Sequence, residues 1–389
     1  MATKDDKKKN KPRTPAASRK LFTMQDPTIR LTQDLRENAK RMGIQEARYL
    51  IDSYYQYQNV RIRANHQRLR CNDQGEPSDL LDWAHGNFDL IESDVKSSLR
   101  IFAEEYAVGQ WLQGITGIAD VLSAAFLTTF DIRERLLIDC NCTDKAQDKK
   151  HGKQKRRMRP YGGDFENGIL RFRCTGRRGH GEKEEDDGNG PETKDRSCKV
   201  VHEVNANDLR AGEGVLIRPK TAGHFWNYAG LNPDISWEKG QLRPWNDRAK
   251  VLCFKAGESW VKTQNRESDF YGHLFAERKA KEVAKNEAGE FAKYAAVCLS
   301  KLKKERSRAK SFYEKGKLPP AHIHARARRW VVKLFLSHLH DVMYRDYYGE
   351  APPVPFAFSK HCEGEHSHYI APPEVETDGK SLRHLYGEV

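Results

Sequence analysis

Residues 111–132 read WLQGITGIADVLSAAFLTTFDI, a largely apolar stretch punctuated by two glycines three positions apart. Gly114–Ile118 has the order glycine, apolar, any residue, glycine, apolar, and an apolar run follows. The pattern predicts a helix-hairpin-helix unit. Glycine lets a backbone turn tightly and approach a neighbour with no side chain between them. A helix opening just after Gly117 would leave free N–H groups for a phosphate oxygen. Contacts of that kind hold a nucleic-acid backbone without reading its sequence. Gly114, Thr116 and Gly117 are therefore candidate phosphate contacts. A tight turn between two packed helices is the alternative the same pattern allows.

On the N-terminal side, residues 1–20 form a basic arm with almost nothing to bury, carrying eight Lys/Arg and two Asp. Residues 28–70 carry apolar and aromatic positions at helical spacing: Leu50, Tyr54 and Tyr57, with Ile51 and Tyr55 beside them. NDQGEPSD at 72–79 is a turn, and a second helical stretch runs from Leu80 to about Trp111. Residues 21–110 are thus expected to make a long helical hairpin, with 111–139 as the helix-hairpin-helix.

Residues 140–220 break the helical pattern. KKHGKQKRRMR at 149–159 holds seven Lys/Arg and no acid, and ILRFRC at 169–174 reads as a short strand. Cys140, Cys142, Cys174 and Cys198 all fall in this inserted basic, cysteine-containing module. Four thiolates can hold a structural zinc, with reduced thiols as the alternative. HCEGEHSH at 361–368 offers further ligand types in a tail, 351–389, that reads as irregular. The pairs His322/His324 and His338/His340 are spaced i and i+2, which point apart on a helix and make no joint ligand set.

Residues 221–350 form the last expected domain. Asn246 is a plausible N-cap for a helix reaching Thr263. On it Leu252, Ala256 and Ser259 share a stripe, which puts Ser259 at the edge of the buried seam. Taken alone, a serine there reads as a small core residue bonded to a backbone carbonyl. A charged helix and its connection cover 270–315, and GKLPPAH at 316–322 is a break. The closing helix places Ala327, Val331, Leu334, Phe335, Leu339 and Val342 on one side, with Arg326, Arg329 and Lys333 opposite. Arginines so spaced can grip successive phosphates. Net charge is +13, and residues 301–333 alone carry twelve Lys/Arg against two Glu, so the basicity is clustered as a polyanion partner requires. No apolar run reaches the roughly 20 residues of a membrane span, so a cytoplasmic protein with no membrane partner is expected.

The order of these segments carries a resemblance. The glycine turn is followed by NYAGLNP (227–233), Gly240, Arg243 and the helix from Asn246 that bears Ser259. SDFYGHLFAERKA (268–280) and ARARRWVVKLFLSHL (325–339) complete the series. Together they resemble the C-terminal transposase domain of the DEDD-type insertion-sequence transposases (the IS-one-ten / IS-one-sixteen group), with phage-borne members looking closest. The likeness covers roughly 110–132 and 220–345.

The resemblance implies a mainly α protein in which a long helical hairpin leads into a helix-hairpin-helix transposase-like domain interrupted by the cysteine module. It implies DNA transposition or recombination, with Ser259 as the nucleophile that joins covalently to DNA. Lys255, Lys262, Arg326 and Arg329 are candidates for the cationic clamp on the phosphate. Expected partners are DNA, a guide RNA and further copies of the chain. Full-length members begin with an RNase-H-type domain whose carboxylates hold metal. Residues 21–110 lack the alternating strand that would carry the first of these, so magnesium chemistry is not expected of this chain alone. Two alternatives stay open: a non-catalytic DNA- or RNA-binding protein on the same scaffold, and a helical oligomerisation protein.

Overall fold

The computed structural model describes residues 30–76, 79–133, 135–138, 156–164, 169–174, 201–205, 215–217, 219, 221–233, 235, 237, 243–302, 307–353 and 369–387. The protein is mainly helical, and no helix among these residues is long and apolar enough to cross a membrane.

Helix α1 (Gln33–Ala39) is capped by the Thr32 hydroxyl, which accepts from Leu35 N. Helix α2 (Ile44–Asp73) turns through Gly75, at φ 74°, into α3 (Asp79–Glu104). At their base the two helices feed the main core through Ala47, Ile51, Leu99 and Phe102. Further out their contact is polar. Arg61 Nε donates to Glu92 Oε2 at 2.5 Å, and Arg68 pairs with Asp82 at 3.4 Å. Burial works against the Glu92 charge, yet hydrogen bonds from Arg61 and Gln58 outweigh it and hold the carboxyl below its ordinary range.

The second helical stretch does not run unbroken to Trp111. It stops at Glu104 and restarts as α4 (Ala107–Gly114), with Tyr106 extended between. The cause lies at the far end of the chain. Lys380 bridges to Tyr106, Ala107 N donates to Lys380 O at 3.0 Å, and Lys380 N donates to Glu105 O at 2.8 Å. The tail at 369–380 is therefore a docked strap, although it is neither helix nor sheet. Trp111 Nε1 donates to Pro373 O at 2.9 Å, and the strap ends in α12, which spans Leu382–Leu385 and packs into the core through both named residues.

Helix α5 (Asp120–Thr129) follows the glycine turn and is buried over most of its length. After it comes a five-stranded antiparallel sheet: β1 (Arg135–Ile138), β2 (Arg156–Asp164), β3 (Ile169–Cys174), β4 (Val201–Asn205) and β5 (Val215–Ile217), in the order β4-β3-β2-β1-β5. Strand β1 pairs β5 with Arg135 opposite Ile217, so the sheet begins and ends side by side. That closure explains how so long a segment can interrupt a helical domain without separating its halves.

Helix α6 (Gly223–Tyr228) returns the chain to the core. Helix α7 (Asp247–Thr263) opens on Asn246, whose side chain accepts from Ala249 N at 3.0 Å. The charged stretch beyond it is two helices, α8 (Phe270–Glu287) and α9 (Ala292–Ser300), separated at Gly289 with φ 79°. A short α10 (Lys310–Glu314) precedes α11 (Pro320–Tyr348), which starts on a proline and ends at Gly349 in the left-handed region. Phe335 of α11 sits at the centre of the core, against Trp111, Phe126, Trp260 and Tyr271.

The histidines of α11 point apart, as their i, i+2 spacing requires. His338 faces the strap, with Tyr271 Oη at 2.8 Å from Nδ1 and Ile370 O at 2.8 Å from Nε2. His340 Nε2 faces Pro219 O at 2.6 Å. Each ring donates one N–H to a carbonyl, so the neutral form fits both sites. Burial pushes His338 down to about 4. The consequence for stability has a definite sign. Below about pH 6.5 the unfolded chain takes up a proton that the folded chain refuses until about pH 4, so stability falls across that window. At about 1.4 kcal/mol per pH unit, His338 should remove roughly 3 kcal/mol between neutral pH and pH 4. Urea unfolding at stepped pH tests this. A His338→Gln variant should show a shallower decline, and an identical decline would reject the assignment.

Candidate nucleic-acid and serine site

The glycine turn and the serine helix lie far apart in the chain and meet in the fold. Gly117 adopts φ 94°, a conformation open to glycine and strained for other residues. A Cβ placed on it would lie 2.8 Å from Trp260 Cδ1 and 3.4 Å from Ser259 Oγ. The turn backbone therefore rests directly on Ser259 and Trp260. Two hydrogen bonds fix this seat. Trp260 Nε1 donates to Thr116 O at 3.1 Å, and the Thr116 and Ser268 hydroxyls are 3.1 Å apart.

Ser259 is half-buried on the flank of α7. Its hydroxyl does not bond back to a carbonyl of its own helix. Among the described residues nothing hydrogen-bonds Ser259 Oγ, while its carbonyl accepts from Thr263 Oγ1 at 2.9 Å. Thr263 Oγ1 also lies 2.5 Å from Asp269 Oδ2. Asp269 is fully buried and caps α8, accepting from Gly272 N at 2.8 Å. The end of α7 and the start of α8 are thus locked together just below the serine.

The sequence-derived cations divide sharply. Lys255, one turn before Ser259, lays its ammonium 3.0 Å from the Tyr55 ring centroid, and burial lowers its pKa. Lys262, on the same flank and one turn beyond the serine, is exposed and has no acid partner among the described residues. Arg326 is committed to Glu282, with Nε donating to Oε2 at 2.8 Å. Glu282 also takes Arg278 at 2.5 Å and is almost wholly buried, so this pairing ties α8 to α11. Arg329 is exposed. Lys333 lies 5.2 Å from the Trp226 ring centroid, and the Trp226 indole donates to Lys333 O at 2.9 Å. Arg328, not singled out by the sequence, forms a close ion pair with Glu258 next to the serine.

Two features of the turn differ from the phosphate-binding expectation. Helix α5 starts at Asp120 with Ala119 as its cap, and the Asp120 carboxylate in its first turn pairs with Lys96 at 3.5 Å. A negative side chain there takes up the favourable end of the helix dipole. Gly114 serves packing, because a Cβ on it would lie 2.7 Å from Val375 Cγ1 of the strap. Thr116 is half-buried at the turn, with its hydroxyl 3.1 Å from that of the exposed Ser268, and Lys262 is exposed on α7.

Trp260, Ser268 and Asp269 were missed by the sequence reading. Trp260 carried a signal nonetheless, since a buried indole N–H needs an acceptor and it directly follows the serine. The proposed zinc ligands Cys140, Cys142 and Cys198 lie outside the described residues, as does 361–368, and Cys174 ends β3. Among the described residues no group of three or more His, Cys, Asp or Glu side chains is placed to hold a metal. No family model, curated protein or solved structure matches the chain.

Proposed function

We propose that this chain is a DNA-binding protein of transposase or recombinase type, with Ser259 as its nucleophile. One observation carries the reading: the glycine turn is seated on Ser259, whose half-buried hydroxyl has no hydrogen-bond partner among the described residues. A serine that served packing alone would be expected to satisfy its hydroxyl within its own helix. In this reading α2 and α3 are the helical hairpin arm, α4 and α5 are the helix-hairpin-helix, and the sheet is the inserted cysteine module. DNA is the partner, with a guide RNA and further copies of the chain as additional ones. Zinc on Cys140, Cys142, Cys174 and Cys198 is part of the same proposal and is tested by metal analysis after mild chelation.

The chemistry is a transesterification. The Ser259 Oγ–P bond forms as one P–O bond to a deoxyribose breaks. The serine proton leaves to a base, and the departing sugar oxygen takes up a proton. No redox change occurs. Lys262 supplies charge beside the serine. Non-catalytic DNA or RNA binding is a second reading, favoured by the commitment of Lys255 to Tyr55 and of Arg326 to Glu282.

Wild-type chain and Ser259→Ala are compared for covalent DNA adducts and for duplex affinity over a range of salt. The expected result is adducts from the wild type alone, with affinities within about twofold and a negative salt slope in both proteins. Adducts from Ser259→Ala would remove the serine from its role. Salt-dependent binding without adducts in either protein would favour the non-catalytic reading. Binding indifferent to salt would sink both.

A further inference from the structure

The cationic stripe of α11 is lined with rings. Arg326, Arg329 and Lys333 follow His322, whose charged form burial disfavours, at helical spacing over about 16 Å, and Arg326 is already paired with Glu282. The Tyr294 ring of α9 stands edge-on to His322 with centroids 5.6 Å apart. Arg326 lies 4.6 Å from the Phe291 centroid, and Lys333 lies 5.2 Å from that of Trp226. Three of the four stripe residues therefore have an aromatic neighbour drawn from a different part of the chain.

Two groups on this α9–α11 face stand ready for a ligand. Tyr294 is 46% exposed, although a tyrosine on a helix packed against α10 and α11 could have been turned inward. Arg329 is exposed and has no acid partner among the described residues. Lys293, adjacent to Tyr294, is exposed as well. Phosphate contacts on duplex DNA need the cations but give an exposed ring nothing to stack on, because paired bases hide their faces in the stack. An unpaired strand offers both phosphates and open base faces.

We propose that the α9–α11 face binds unpaired nucleotides, with a base stacked on Tyr294 and its neighbouring phosphate held by Arg329. The stripe has room for a few nucleotides at roughly 3.4 Å per stacked step. This inference rests on the nucleic-acid reading above and names the form of nucleic acid that this face takes. The same chemistry serves single-stranded DNA and unpaired RNA.

The test uses the full chain with fluorescently labelled dT and rU oligonucleotides and a duplex of the same length. Tyr294→Ala, Tyr294→Phe and Arg329→Ala are compared with wild type. Tyr294→Ala should weaken single-strand binding by about fivefold or more while leaving duplex affinity nearly unchanged. Tyr294→Phe should restore it, since the ring and not the hydroxyl stacks. Arg329→Ala should weaken binding and reduce the salt slope by about one. Comparing dT with rU shows which strand the face prefers. Duplex binding with no effect of Tyr294→Ala on single strands would overturn this inference alone. An equal loss on both ligands would also overturn it, because that marks a general defect. Failure to bind any nucleic acid would overturn it together with the reading it rests on.

Discussion

Replacing Trp260 with alanine is expected to lower the unfolding free energy by about 4 kcal/mol and to release the glycine turn from the serine helix. Trp260 is fully buried, 4.8 Å from the Tyr271 ring centroid and 5.1 Å from that of Phe335. Truncation leaves a cavity the size of an indole between α7, α8 and α11. It also removes the N–H that holds Thr116 O. Trp260→Phe separates the two effects. It keeps most of the apolar burial and loses the donor, so about 1–2 kcal/mol is expected. Urea unfolding gives both numbers. A loss below about 1 kcal/mol for Trp260→Ala would mean that the helix is not seated in this core.

The second large effect is expected at Gly117. Alanine there must adopt the left-handed region, at roughly 1–2 kcal/mol. Its Cβ must also displace Trp260, whose Cδ1 would lie 2.8 Å away. Together these should cost about 3 kcal/mol. Gly86 provides the contrast. It sits inside α3, and a Cβ added to it would meet nothing within 4 Å, so Gly86→Ala should stabilise the protein by about 0.5–1 kcal/mol. Equal effects at the two glycines would remove the turn from its position on α7. Because Gly117 is a packing position, DNA binding lost in its variants reports the seat of the turn. The proposed phosphate contact is better read from Lys262→Ala, because Lys262 is exposed.

Much of the helical framework was legible from local signals. Asn246 caps α7 because its side chain can reach the N–H three residues on, and that requirement is written in neighbouring positions. Pro320 and Gly349 bound α11 through their own backbone preferences. Period located most of the core side of α11: Ala327, Val331, Phe335 and Leu339 are buried, Leu334 and Val342 are half-buried, and Val332, Leu336 and Met343 join the core from outside that stripe. Where helices were read as too long, the break was set from outside. Tyr106 is extended because Lys380 pairs with it, and nothing near Tyr106 in sequence announces that strap.

The candidate site divides the same way. Composition, period and charge order suffice to read a mainly helical chain with clustered charge and to mark Gly117 and Ser259 as single residues. Packing between distant segments brought the two into contact, set Gly114 against the strap, and paired Arg326 with Glu282 while leaving Arg329 without an acid partner among the described residues. The reason is range. Caps, turns and periodicity are settled by forces acting within a few residues, so they leave a local record. A cation's availability depends on which acid the fold brings to it from another helix, and neither residue's neighbours record that meeting.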